Sequence, residues 1–174
     1  ARKPATGTEP SPFNTLLQPT PDKLLRVVIG LGFRRARLQQ AYSILKGKNP
    51  ETGAVSGENR AQQFKALREA QRHVVNPQNW QDFLEAVKKA GYLSNEMVPS
   101  QIGLLHCYTL FLIGRQDYGV CASKLRDTIS RWVYMAAITS RYMGSAESAM
   151  DQDLAKWCDG AEADQDGKST SPKA

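Results

Sequence analysis

The stretch from Ile102 to Ile113 is apolar nearly all round, broken by His106 and Thr109. At about a dozen residues it falls well short of the roughly 20 that a membrane span needs. It is therefore predicted to be a buried core helix, and the rest of the chain must supply the elements that surround it. Around it the apolar residues recur with helical spacing, and nowhere do four or more β-branched or aromatic residues alternate with polar ones, so no strand of consequence is predicted. The expectation is an all-α fold: an irregular bundle of about seven helices, one domain with disordered termini. No internal repeat with a fixed period is present.

Local signals place the elements. At Thr20-Pro21-Asp22 a capping residue precedes a proline at the first helical position and an acid in the first turn, which predicts a helix through Leu24, Leu25, Val28 and Leu31 ending at Gly30 or Gly32. A second helix carries Leu38, Ala41, Tyr42 and Leu45 and stops near Gly47. A loop from Lys48 to Gly57 follows. The third helix starts near Glu58, with Ala61, Phe64, Leu67, Gln71 and Val74 on one stripe. Asn76-Pro77 repeats the cap-and-proline signal and opens a fourth, with Trp80, Phe83, Leu84 and Val87, ending at Gly91. The fifth covers residues 101–113, with a turn from Arg115 to Gly119. The sixth presents Leu125, Ile129, Trp132, Val133, Ala136 and Ser140 inward and stops at Gly144. Ser145 caps a seventh carrying Met150, Leu154 and Trp157.

Residues 1–19 hold four of the nine prolines and no sustained apolar period, and read as a linker or leader docked through Phe13, Leu16 and Leu17. The helical domain then spans 20–158, and 159–174 reads as an acidic disordered tail. The chain begins with Ala1 and neither end has a folded look, as expected of a fragment excised from a longer protein. No segment resembles a signal peptide. Three cysteines, at 107, 121 and 158, are too few and too dispersed for a disulfide framework or a close-spaced zinc site, so a reducing cytoplasm is the expected home.

The net charge of +6 is unevenly spread. Residues 21–48 hold seven bases against Asp22 alone, whereas the last thirty residues hold three bases against seven acids. A basic patch can attract polyanions, although a solvated helix face is the commoner outcome. Its densest part is Arg34-Arg35-x-Arg37. If the second helix begins near residue 34 or 35, these cations crowd a helix N-terminus, where free N–H groups and guanidinium forks form a phosphate site. The competing reading is that one or two of them pair with carboxylates of a neighbouring helix. Arg131-Trp132 and Arg141-Tyr142 add arginines beside aromatic rings, which can stack on bases, although the spacing of Trp132 with Ile129 and Val133 places that ring inside. The candidate nucleic-acid-binding residues are thus Arg34, Arg35, Arg37, Arg131 and Arg141.

Catalytic constellations are scarce. Val27-Val28-Ile29-Gly30-Leu31-Gly32 imitates a dinucleotide-fold glycine turn, but Arg35 stands where the third small residue belongs and a helix signal stands where the strand belongs. There is no P-loop. Asp82, Glu85 and Lys88 share a helical face, a pattern that also describes a salt-bridged surface, the favoured reading. His106 is expected to be a hydrogen-bonded core histidine, and Cys107 and Cys121 core or near-core thiols. No cofactor, metal or catalytic residue is expected.

The run from Leu125 to Leu154 resembles the helical region of GmrSD-type proteins, a bacterial family of modification-dependent restriction and phage-defence enzymes. The resemblance lies in Arg131-Trp132, Arg141-Tyr142, Ser145, Glu147-Ser148 and Asp153-Leu154. Upstream, Leu24-Leu25-Arg26, Gly32 to Leu38, Gln63-Phe64, Asn79-Trp80, Phe83-Leu84 and Ala90-Gly91-Tyr92 extend it to about residues 20–157. The Asp-Gly-Gln-Gln-Arg motif of the family's ParB-like nucleotide hydrolase is absent, as is the His-Asn-His-type nuclease signature. The resemblance therefore implies no enzyme in this chain. It implies a non-catalytic helical middle domain that couples a ParB-like hydrolase to a His-Asn-His-type nuclease in a DNA-targeting defence protein, with DNA as a further partner and no membrane.

Overall fold

Thr20-Pro21 and Asn76-Pro77 open helices as their chemistry requires. The computed structural model describes residues 16–17, 19–48 and 55–166, with their side chains except at 40, 44 and 157–166. Within them the fold is all-α: α1 Pro21–Phe33, α2 Leu38–Leu45, α3 Gly57–Val74, α4 Pro77–Lys89, α5 Gln101–Gln116, α6 Ala122–Ile138 and α7 Ala146–Asp166, with a single 3-10 turn at Asn95–Met97. The only β pairing among the described residues is an isolated bridge between Lys48 and Val55. No helix there is long and apolar enough to cross a membrane.

The expected core helix is the centre of the structure, buried without interruption from Gly103 to Gly114. α1 runs alongside it in the same direction: Lys23 donates to Gln101 at 2.9 Å, Gly30 lies against Thr109, and Arg34 pairs with Asp117. α6 returns antiparallel, with Leu125 against Gly114 and Tyr142 against Gly103. Against the other flank Phe83 of α4 packs on Tyr108 and Phe111, with ring centroids 5.0 and 5.9 Å apart. Buried aromatic area of this kind contributes the largest share of core stability.

The end of α3 is closed by its neighbours. Val74 O accepts from Trp80 Nε1 at 2.7 Å and from Tyr108 OH at 3.1 Å, and His73 O accepts from Asn79 Nδ2 at 2.9 Å. Buried polar groups of α4 and α5 thus satisfy carbonyls that a helix C-terminus leaves open.

Several boundaries differ from expectation. Gly30 and Gly32 do not stop α1, which continues to Phe33 and ends on Arg34 in the left-handed region at φ 54°. Gly30 is a notch: a Cβ there would stand 2.8 Å from Thr109 Cγ2, so the absent side chain lets α1 approach α5. α2 begins at Leu38, not at 34 or 35. Tyr42, expected inward, is 63% exposed, and on α3 Ala61 and Gln71 face solvent while Ala70 is buried with Val74. α5 runs on through Arg115 to Gln116. α6 stops at Ile138, well before Gly144, because Ser140 turns left-handed at φ 50°. Arg141 N then bonds Ala136 O at 3.0 Å and Ser140 N bonds Ala137 O at 3.1 Å. That pair of bonds closes the helix as glycine usually does. Ser140 is accordingly exposed rather than on the inner face.

Both ends depart from the expected domain limits. Leu16 and Leu17 are buried in the core, which anchors the leader to the bundle; Phe13 lies outside the described residues. α7 continues past Cys158 to Asp166, so the first part of the expected tail is helical, and 167–174 lie outside the described residues.

Candidate functional site

The turn between α6 and α7 brings a chain of polar groups into the interior. Asp153, on the inward face of α7, is only 2% exposed. Its carboxylate accepts from Arg141 through both Nε, at 3.0 Å, and Nη2, and from Tyr142 OH at 2.7 Å. Trp132 of α6 donates from Nε1 to the same Tyr142 oxygen at 3.1 Å, and the Arg141 guanidinium lies 5.9 Å from the Trp132 ring centre. Trp132 is part-buried, as expected, but its polar edge is spent in this network.

Burial alone would push the Asp153 carboxyl up; the hydrogen bonds from Arg141 and Tyr142 outweigh it and hold the group below its usual range. The same bond to Asp153 raises Arg141, and burial raises the Tyr142 phenol. The site is an ionised carboxylate, a guanidinium and a neutral phenol locked together.

His106 of α5 completes the cluster. Its ring meets Tyr142 edge-on with centroids 5.1 Å apart, and Nε2 stands 4.0 Å from Asp153 Oδ2, beyond hydrogen-bond range. His106 is buried as expected, but the expected hydrogen bond is missing: Nε2 has no partner. Burial lowers its pKa to about 4, with Asp153 opposing and Arg141 reinforcing that shift. The ring is neutral at neutral pH.

The five arginines predicted to meet nucleic acid do not form one patch at a helix start. Arg34 caps α1, donates to Leu31 O and pairs with Asp117 at the end of α5. Arg37 reaches Asp151 at 3.3 Å and Ser148 Oγ at 3.2 Å on α7. Arg141 is held by Asp153. Arg35 and Arg131 are exposed, and neither forms an ion pair among the described residues. Thus two of the three clustered arginines follow the competing reading, in which neighbouring carboxylates take them up.

The Asp82 and Glu85 pair likewise holds helices together: Asp82 binds Arg115 of α5, and Glu85 binds Arg126 of α6 at 3.0 Å. No group of three metal-ligating side chains occurs among the described residues. Cys107 is buried, and burial pushes its thiol up to about 12. Cys121, expected in or near the core, is instead exposed at the start of α6, where backbone and Ser123 contacts lower its pKa.

Two concave features remain. A notch of about 40 Å³ is lined by apolar groups including Tyr92, Val98, Val133, Ala137 and Met143, with Cys107 among them. A wider groove of about 580 Å³ lies between Arg26, Arg37 and the start of α2 on one side and the first turn of α7 on the other. In it Arg26 is bound to Glu147, which neutralises half of its cationic lining. Arg26, which the site prediction left out, thus joins α1 to α7. Its partner lies 121 residues away, a separation at which residue spacing carries no signal. Comparison with protein-family models, with curated proteins and with solved structures finds no match to this chain.

Proposed function

We propose that this chain is a non-catalytic helical accessory domain of a DNA-targeting bacterial defence protein resembling the GmrSD type, coupling a ParB-like nucleotide hydrolase to a His-Asn-His-type nuclease. The observation that carries the reading is the Asp153 cluster. The residues of the resemblance, Trp132, Arg141, Tyr142 and Asp153, are joined to one another, and Glu147 and Ser148 reach Arg26 and Arg37 of the first helices. Such residues tie α1, α6 and α7 into a unit that moves as one body, which is what a coupling element needs.

The test is direct: the purified chain is incubated with divalent metal, nucleoside triphosphates, and modified and unmodified duplex DNA. Neither hydrolysis nor cleavage is expected. Activity that co-purifies with the chain and is lost on substituting one of its own residues overturns the reading.

A second reading, a nucleic-acid-binding module, is favoured by the groove beside Arg37 and by exposed Arg35. It predicts duplex binding whose log–log salt slope falls by up to about 0.9 for each phosphate contact removed by Arg35→Ala or Arg37→Ala. A slope that these changes leave untouched, or no binding at low salt, removes it.

A further inference from the structure

The outer face of α6 carries an unusual concentration of exposed apolar side chains. Three of the four methionines are about half exposed: Met97 at 49%, Met135 at 54% and Met143 at 52%. Leu93, Tyr134 and Ile138 are exposed to a similar or greater degree. All six belong to one surface, because Met143 lines the apolar notch and each of the others is the chain neighbour of a residue that lines it. Contiguous exposed apolar area of this kind marks an interaction site rather than ordinary surface.

The charge around this face identifies its occupant. From residue 128 to 146 the chain has no Asp or Glu, and its charges are Arg131 and Arg141. Asp153 takes up Arg141. Arg126, earlier on the same helix, is taken up by Glu85. Arg131 is exposed, forms no ion pair among the described residues, and stands one helical turn before Tyr134 and Met135. Across the face, on the 3-10 turn, stands the carboxylate Glu96. Methionine side chains adapt to the apolar face of a docked helix, the mode used by helix-in-groove receptors.

We propose that this face receives an amphipathic helix of a sister module, seated by its apolar stripe against Met97, Met135, Met143 and Ile138 and bearing a carboxylate that meets Arg131. The proposal deepens the coupling role above and rests on it for the source of the helix.

The test uses the full chain with methyl-labelled methionine and a synthetic Leu/Ala-faced helical peptide with glutamates on its flank, alongside the same peptide with lysines. The glutamate peptide is expected to shift the methyls of Met97, Met135 and Met143 and to leave that of buried Met150 in place. Arg131→Glu is expected to weaken it by at least about tenfold and to favour the lysine peptide instead, as reversal of a complementary charge requires. The proposal fails if the three methyls do not respond, if Met150 responds equally, or if Arg131→Glu changes neither affinity. It also fails if the same methyls shift on concentrating the chain alone, which assigns the face to a second copy. Hydrolysis by the purified chain sinks the coupling role while these spectra stand; silent methyls sink the docking face while the hydrolysis result stands.

Discussion

Protonating His106 should weaken this bundle in a pH window that its structure defines. The ring is buried against Tyr142 and Asp153, Nε2 has no partner, and burial brings the pKa from 6.5 down to about 4. As pH falls the unfolded chain takes up this proton first, so the imidazole's contribution is complete above about 6.5 and is lost progressively on the way to about 4. A gap of two to three pH units corresponds to about 3 kcal/mol at full development. The Asp153 and Asp82 carboxyls are shifted downward, so their contributions are present above the usual carboxylate pKa and are lost only as pH falls below 3.8. Urea unfolding followed by circular dichroism from pH 4 to 7.5, on the wild type and on His106→Leu, isolates the effect. The wild type should lose about 3 kcal/mol more than the variant across the window, and at pH 7 the variant should be no less stable, since it removes an unpartnered buried nitrogen. A difference under about 1 kcal/mol, or a His106 ring resonance titrating near its unperturbed value, refutes the reasoning.

Asp153→Ala removes an acceptor serving Arg141 and Tyr142; because Arg141 keeps a one-third exposed side chain and can rehydrate, the expected cost is about 3 kcal/mol, the lower end for a broken buried pair. For a chain of this length that lowers Tm by roughly 6–12 °C, and an unchanged melt by scanning calorimetry contradicts the network. Gly30→Ala, which favours an isolated helix by about 1 kcal/mol, should destabilise here because its Cβ meets Thr109 at 2.8 Å, and Thr109→Ser in the same chain should recover part of the loss. In a Cys158→Ser background Cys121 should react with a thiol reagent within the mixing time of slow assays while Cys107 reacts only on unfolding; equal rates would contradict the assigned burial.

Much of the helix pattern was legible locally. Asn76 caps α4 by accepting from Gln78 N at 2.9 Å, just ahead of the proline that marked the start, and the all-round apolar segment became the central helix. The helix ends were less legible. Ser140 takes the left-handed role that glycine usually signals, whereas Gly30 and Gly32 sit inside α1 for reasons of packing. Of the candidate site, the resemblance pointed to Arg141-Tyr142 and Asp153-Leu154, yet Asp153 was never singled out. A lone Asp among the acids of the C-terminal segment looks like surface until its helix is seen to turn it inward.

The sequence by itself determined that this chain is helical, which segment lies at the centre, and that its cations crowd between α1 and α2. Those are properties of neighbours a few residues apart, and capping chemistry and apolar spacing encode them. Only the tertiary structure decided what the charges do. Arg34 finds Asp117 across 83 residues and Arg26 finds Glu147 across 121, so a cluster that reads as a polyanion site is largely spent on holding helices together. Arg35 and Arg131 keep their charge for solvent or a partner, because the helices packed beside them bring no carboxylate within reach.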